Sequence, residues 1–139
     1  MVIGYTAGVF DMFHIGHLNV IKNAKSYCDY LIVAVSTDEL VESYKHKTPM
    51  IPFEDRKAIV ESIRYVDKVV PQTSVDIDSK KQAAMENHVD MMFVGSDWQG
   101  TEKWNHLEQE LASVGVKVMY LPHTNGISSS MLRDVVSNV

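Results

Sequence analysis

The stretch VIGYTAGVFDMFHIGH, residues 2–17, contains both the start of the fold and the most informative pattern of the chain. Val2–Ala7 is apolar and predicts a β-strand, which Gly8 ends. The following residues predict a helix beginning near His17. His14 and His17 are three positions apart, so they share one face of the first helical turn. Free backbone N–H groups and a partial positive charge at that turn favour a phosphate group, especially one that gains charge in a transition state.

The rest of the chain alternates predicted strands with predicted helices. Tyr30–Val35 is a continuous apolar run, which is typical of a parallel strand covered on both faces. The other predicted strands are Lys68–Val70, Met91–Val94 and Val116–Leu121, and the predicted helices are His17–Tyr27, Asp38–Ser43, Pro52–Tyr65 with Ile59, Ile63 and Val66 facing inward, Lys80–Asn87, residues 104–114 and Ser128–Val136. Five strands separated by helices predict an α/β fold with a doubly wound parallel sheet and helices on both faces.

Composition and charge narrow the classes of function. The 139 residues predict one domain, 1–139. The formal net charge of −5 argues against broad binding to nucleic acid. No run has transmembrane length and no secretory signal pattern opens the sequence, so we expect no membrane attachment. The single cysteine, Cys28, excludes an intramolecular disulfide and favours a cytoplasmic protein.

Ligand-binding residues are expected beyond the carboxyl ends of the strands in a doubly wound sheet. Gly8–His17, Gly95–Gly100 and His123–Ser130 follow the first, fourth and fifth predicted strands and carry polar residues without a packing role. Gly126–Ser130 is either an ordinary serine-capped helix start or a second phosphate cradle, and its pairing with the first site favours the cradle. Residues 95–98 are either a plain turn or a carboxylate for a ribose or metal beside an aromatic wall.

Cationic side chains are gathered in the middle of the sequence. Lys45 and Lys47 form either an ordinary solvated loop or a pair that folds over a polyphosphate. Arg56 and Arg64 lie on one predicted helix and, with Asp67, suit a network of surface ion pairs worth about 0–1 kcal/mol each.

A zinc site is the alternative interpretation of the two histidines. A zinc site would need a third and a fourth ligand, and the sequence offers no further Cys/His pair for them. Asp11 alone does not complete such a site, so phosphate remains the favoured ligand.

Three separated motifs give the chain a resemblance that runs from the first strand to the last helix. The motifs are Gly8-Val9-Phe10-Asp11 with His14-Ile15-Gly16-His17, Arg64-Tyr65-Val66-Asp67, and Thr124-Asn125-Gly126-Ile127-Ser128-Ser129. On these motifs the chain resembles the small bacterial cytidylyltransferases that carry a His-x-Gly-His signature. The resemblance implies a Rossmann-like homodimer that uses CTP and Mg²⁺. Such an enzyme converts a small phosphorylated alcohol, with glycerol 3-phosphate favoured, into a CDP-alcohol and pyrophosphate.

The resemblance also implies roles for individual residues. His14 and His17 would contact the triphosphate and stabilise the transferring phosphoryl group. Lys47 would close on the phosphates, and Arg64, functionally important in the family, would lie near the subunit interface. Nucleotide binding is expected of Gly8, Val9, Phe10, Lys45, Gly95, Asp97, Trp98, His123, Thr124, Gly126, Ile127, Ser128 and Ser129, and acceptor binding of Asp11, Asp67 and Lys80. No direct protein ligand is expected for the metal.

The chain departs from the family pattern at three positions. His123 stands where an arginine near the base is usual, and Val9 replaces a threonine. Ile77 stands where enzymes for glycerol phosphate carry an aromatic residue ahead of a lysine pair. Three alternatives therefore stay open. They are an adenylyltransferase that uses ATP, an enzyme for another acceptor (glycerol 2-phosphate, phosphoethanolamine, phosphocholine or a sugar phosphate), and a catalytically silent nucleotide-binding protein.

Overall fold

Strands and helices alternate through residues 1–122, the part of the chain that the computed structural model describes. The strands are β1 (Ile3–Gly8), β2 (Tyr30–Ser36), β3 (Lys68–Gln72), β4 (Met91–Gly95) and β5 (Lys117–Leu121). The helices are α1 (Ile15–Ser26), α2 (Asp38–Lys45), α3 (Phe53–Glu61), α4 (Ile77–Glu86) and α5 (Glu102–Ala112), with a short 3₁₀ turn at Ser96–Trp98. No helix within residues 1–122 is long and apolar enough to cross a bilayer.

The five strands form one parallel sheet in the order β3-β2-β1-β4-β5. The chain first builds outward from β1 through β2 to β3, and then returns to add β4 and β5 on the other side of β1. This reversal confirms the predicted doubly wound sheet. It also makes the carboxyl ends of β1 and β4 the switch point at which such folds bind ligands.

Helices cover both faces of the sheet, and each face has its own core. On one face, Ala84 of α4 and three side chains of α5 share a core cluster with Ile32 and Ala34 of β2; the α5 side chains are Trp104, Leu107 and Leu111. The opposite core joins helices α1 and α3 to the other β2 side chains, through Ile21, Ala24, Val60, Leu31, Val33 and Val35. Because β2 is buried on both sides, its sequence is apolar without alternation.

The helix starts differ from the predicted ones because polar side chains cap them. Helix α1 begins two residues before the predicted position, since His14 is its N-cap. Helix α4 begins at Ile77 rather than Lys80, because the Asp76 carboxylate accepts a hydrogen bond from the backbone N–H of Ser79 at 2.7 Å.

Two predictions around α3 and β3 are wrong. Helix α3 ends at Glu61, and Ile59, expected to face inward, is 42% exposed, while Val60 and Arg56 occupy the buried face. Strand β3 does not stop before Pro71 but continues to Gln72. Proline is tolerated there because β3 is an edge strand of the sheet.

Candidate active site

His14 and His17 form a reciprocal cap at the start of α1. The His14 Nδ1 atom accepts a hydrogen bond from the backbone N–H of Gly16 at 3.0 Å. The His17 Nδ1 atom in turn accepts one from the backbone N–H of His14 at 3.2 Å. These bonds have the form of a capping box in which imidazoles replace the usual hydroxyl and carboxylate. The spacing seen in the sequence therefore fixes both rings to the backbone.

The hydrogen bonds also determine where each ring carries its proton. Because both Nδ1 atoms accept, each neutral ring carries its proton on Nε2. Burial lowers the pKa of His14. Burial, and next the adjacent His14, lower the pKa of His17 to about 4, against an opposing effect of Asp11. Both rings are therefore neutral N–H donors at pH 7.

The two imidazoles are stacked on each other among aromatic side chains. Their centroids are 3.9 Å apart, and Phe10 and Phe13 pack beside His17 at 5.5 and 5.2 Å. The Nε2 atom of His14 is buried and has no hydrogen-bond partner within residues 1–122. A buried donor without a partner is uncommon in folded proteins, so this atom is prepared for a ligand oxygen.

The loop between β1 and α1 holds backbone conformations that are costly. Phe10 and Met12 have φ values of 54° and 47°, in the left-handed region that glycine favours. A Cβ added to Gly8 would lie 3.1 Å from the Phe10 ring, so a side chain there would crowd the loop. Strain of this kind is concentrated at ligand-binding sites, which agrees with the position of the loop at the switch point.

Asp11 joins the loop between β1 and α1 (residues 9–14, the histidine loop) to the loop between α2 and α3 (residues 46–52, the lysine loop). Its buried carboxylate accepts hydrogen bonds from the backbone N–H groups of Met50 and Ile51, both at 2.9 Å. The predicted role of Asp11 was contact with the acceptor. In the structure both carboxylate oxygens instead accept hydrogen bonds from the backbone of the lysine loop. Lys47 lies in the same loop, three residues before Met50.

Arg56 is the residue that sequence reasoning misjudged most. It was expected in a surface ion-pair network, but its side chain is fully buried. The guanidinium donates to the backbone oxygens of Val9, Ser36 and Ile51 at 2.7–2.8 Å, and to the Asp38 carboxylate at 2.6 Å. Arg56 thereby joins the histidine loop, the end of β2 and the lysine loop. Its spacing of four from the buried Val60 was the available signal, because both positions lie on one helix face.

The lysine loop follows α2 and is exposed. Lys45 and Lys47 flank His46, which caps α2 in the left-handed conformation with φ 56°. Both lysine side chains are exposed. The Asp11 bonds hold the end of this loop beside the histidine loop, so the structure brings the two predicted phosphate-binding segments together.

The segment after β4 lies on the same edge of the sheet. Thr6 of β1 is paired with Phe93 of β4, and this register, continued by two residues, places Gly8 opposite Gly95. The 3₁₀ turn that follows contains Asp97 and Trp98, and Trp98 is 52% exposed. A large exposed ring at the switch point fits the predicted aromatic wall.

Arg64 and Asp67 are not brought to the histidine pair. Asp67 precedes β3 at the amino edge of the sheet, where its carboxylate accepts from the Leu31 N–H at 2.8 Å and pairs with Lys25 at 2.6 Å. Arg64 is exposed and donates to the Tyr65 hydroxyl at 2.7 Å. The histidines occupy the carboxyl edge, so the predicted catalytic role of Arg64 and acceptor role of Asp67 have no support from their position.

Lys80, in contrast, lies beside a cleft beyond the carboxyl end of β3. The cleft has a volume of about 270 Å³, and its walls include Tyr5, Gln72 and Ser74. Burial lowers the pKa of Lys80 to about 8, with a smaller effect from Lys103. Its ammonium lies 5.7 Å from the centroid of the Trp104 ring. A buried cation at this edge suits an anionic substrate.

The third predicted segment lies outside the described residues. It comprises the nucleotide-binding predictions His123, Thr124, Gly126, Ile127, Ser128 and Ser129, together with the predicted helix Ser128–Val136.

Comparison with known proteins assigns the chain to a family. The family model described as cytidylyltransferase-like matches residues 5–135. The chain belongs to the cytidylyltransferase-like family. The glycerol-3-phosphate cytidylyltransferase of Bacillus subtilis (strain 168) is 37% identical over 134 residues, which are 96% of each chain. That of Staphylococcus aureus (strain NCTC 8325 / PS 47) is 37% identical over 128 residues, covering 92% of this chain and 89% of the relative.

Solved structures share the fold of this cytidylyltransferase-like chain. The lipopolysaccharide core biosynthesis protein from Thermoplasma volcanium GSS1 has a TM-score of 0.72 at 24% identity, over 91% of this chain and 99% of that one. Pantothenate synthetase from Thermus thermophilus has a TM-score of 0.68 at 13% identity, over 96% of this chain and 64% of that one. These likenesses show that the fold of the chain recurs in solved structures.

Proposed function

We propose that the protein is a glycerol-3-phosphate cytidylyltransferase, which transfers CMP from CTP to glycerol 3-phosphate. The observation that carries the proposal is the pair of neutral imidazoles at the start of α1, each with its proton on Nε2. The 37% identity to relatives of that name over nearly the whole chain supports the choice of nucleotide and acceptor.

The reaction is an in-line displacement at the α-phosphorus of CTP. A phosphate oxygen of the acceptor forms the new P–O bond, and the bond to the β-phosphate breaks to release pyrophosphate. A phosphate monoester is largely ionised at neutral pH, so the attacking oxygen needs no general base. The protein therefore contributes position and charge stabilisation rather than proton transfer.

The histidines suit this task because they donate without losing a proton. As the α-phosphoryl group gains negative charge, the Nε2–H groups of His14 and His17 donate to its oxygens. The backbone N–H groups of the first turn of α1 add to that stabilisation. Lys45 and Lys47 close over the triphosphate, while Gly95, Asp97 and Trp98 line the nucleoside.

Magnesium fits this site as an ion that the triphosphate carries. Within residues 1–122, no group of three His, Cys, Asp or Glu side chains could hold a metal. Mg²⁺ commonly binds through substrate phosphates and water rather than an all-protein cage. When bound, it would neutralise phosphate charge in the ground state and the transition state.

The proposal extends to the acceptor, the assembly and the compartment. Lys80 attracts the phosphate of the acceptor into the cleft beyond β3. The protein acts as a homodimer, for which Arg64 at the opposite, exposed edge is an interface candidate. The single cysteine favours the cytoplasm.

A pyrophosphate-release assay tests the proposal. CTP and ATP are each supplied with glycerol 3-phosphate, glycerol 2-phosphate, phosphoethanolamine or phosphocholine in the presence of Mg²⁺. We expect release with CTP and glycerol 3-phosphate, at a kcat/KM at least tenfold above every other combination. Release that requires ATP would show an adenylyltransferase. Tight CTP binding without release for any acceptor would show a silent nucleotide-binding protein.

A further inference from the structure

Three buried polar groups in the cleft beyond β3 have hydrogen-bonding capacity that the protein does not use. Tyr5, Gln72 and Lys80 are only 3%, 7% and 9% exposed, and all three line the cleft. The Tyr5 hydroxyl and the Lys80 ammonium make no hydrogen bond within residues 1–122, although the ammonium lies over the Trp104 ring. Buried polar groups are normally paired, and the Gln72 Oε1 atom is buried without a partner among the described residues, so the three side chains together indicate a binding site.

The orientation of the Gln72 amide is determined by its neighbour. Its Nε2 atom donates to the backbone oxygen of Ser74 at 3.3 Å. A carbonyl oxygen can only accept, so this bond identifies the nitrogen and leaves Oε1 as the other atom. Oε1 is buried and has no donor among the described residues. The cleft thus holds an unsatisfied acceptor that requires an O–H or N–H group.

The three groups together define the chemistry of the ligand. Lys80 and the nearby Lys103 favour an anion and disfavour a second cation. Gln72 Oε1 requires a donor, and the Tyr5 hydroxyl can donate or accept. Burial raises the pKa of Tyr5 to about 12, so this hydroxyl keeps its proton at neutral pH. Phosphocholine offers no donor and adds a cation, whereas a phosphorylated polyol meets all three requirements.

We propose that Gln72 and Tyr5 are specificity-determining residues that select a hydroxyl-bearing phosphorylated alcohol as the acceptor. Gln72 Oε1 accepts a hydrogen bond from an acceptor hydroxyl, and the Tyr5 hydroxyl bonds a second one. The proposal rests on the proposed cytidylyltransferase function for its reaction, but it concerns which acceptor enters the cleft.

The test compares glycerol 3-phosphate with n-propyl phosphate, which has the same chain length and no hydroxyl group. The ratio of their kcat/KM values is measured by pyrophosphate release from CTP for the wild type, Gln72→Met and Tyr5→Phe. We expect a wild-type ratio of at least about tenfold, which each variant lowers by on the order of tenfold without changing the KM for CTP. Gln109→Met is the matched control, since Gln109 is exposed on α5 and does not line the cleft. That variant keeps the wild-type ratio.

Calorimetric titration of the same proteins with both phosphates separates this inference from the proposed function. A wild type that uses CTP without preferring glycerol 3-phosphate, or a ratio unchanged in both variants, overturns the inference and leaves the cytidylyltransferase in place. Absence of pyrophosphate release with every acceptor overturns the proposed function. In that case tighter binding of glycerol 3-phosphate than of propyl phosphate, lost in Gln72→Met and Tyr5→Phe, supports the inference, and equal affinities refute it.

Discussion

The two histidine rings differ from surface histidines because the backbone holds their Nδ1 atoms. His14 accepts from Gly16 and His17 accepts from His14, and both rings are partly removed from water. A protonated ring could not accept these hydrogen bonds, so the fold itself opposes protonation. Charge stabilisation at the phosphate therefore comes from oriented N–H dipoles, with formal cations supplied by other groups.

Long-range ¹H–¹⁵N correlation of the histidine rings at pH 7 tests this state. We expect His14 and His17 each to show one protonated and one unprotonated nitrogen, with the proton on Nε2. The His17 ring should keep that pattern down to about pH 5, because its pKa is lowered to about 4. The exposed His106 serves as an internal reference. A doubly protonated ring at pH 7, or a proton on Nδ1, would contradict the assignment.

Among single residues, the sequence predicted the histidine pair of the site but not the roles of Asp11 and Arg56, which hold the neighbouring loops in place. The pair was recognisable because a spacing of three at a helix start has geometric meaning. Asp11 and Arg56 were misjudged because their partners are backbone N–H and C=O groups, which every residue carries and no motif records. The edge to which Asp67 belongs could have been predicted, because a residue just before a parallel strand lies at the amino end of the sheet.

Among the elements, the loop before α1 and the loop after α2 behave as one unit. Arg56 of α3 and Asp11 join them through hydrogen bonds to the backbone of Val9, Met50 and Ile51. Removing the guanidinium would leave three backbone carbonyl groups without this donor and Asp38 without its ion-pair partner.

Arg56→Met should therefore lower the free energy of unfolding by about 3 kcal/mol, measured by urea denaturation. Arg64→Met is the matched control, since Arg64 is exposed and, among the described residues, hydrogen-bonds Tyr65 alone. The control should change the free energy of unfolding by less than about 0.5 kcal/mol. Equal effects of the two substitutions would show that the Arg56 bonds do not hold the loops.

The boundaries of helices and strands were predicted correctly where capping and burial agree with the periodicity of the apolar residues. Strand β2 was placed correctly because both of its faces are covered. Helix α3 was predicted too long because apolar residues continue past Ser62, although the helix ends there. Pro71 misled the prediction of β3, since proline excludes only central strands and strand order cannot be known from the sequence.

For the whole molecule, the lowered histidine pKa values predict weaker folding in acid. Between about pH 6.5 and pH 4 the unfolded chain binds a proton at residue 17 that the folded chain does not. The free energy of unfolding therefore falls as the pH falls through that range. His17→Gln removes this titration and keeps a side chain able to complete the capping box.

Urea denaturation at several pH values measures the difference between these two proteins. The slope of unfolding free energy against pH between 4 and 6.5 should be smaller in His17→Gln than in the wild type. Carboxylates such as Asp67 and Asp76 titrate equally in both, so the difference isolates His17. Identical slopes would mean that the His17 pKa is not lowered in the folded protein.

The central claim is that the Nε2–H groups of His14 and His17 stabilise the phosphoryl group transferred from CTP. The most direct measurement is kcat for CDP-glycerol formation from CTP and glycerol 3-phosphate by His14→Ala, His17→Ala and, as control, His106→Ala. The account predicts a loss of about 10²–10³-fold in kcat for each of the first two variants, with folded protein and an unchanged control. Turnover within a few-fold of the wild type in either histidine variant would contradict it.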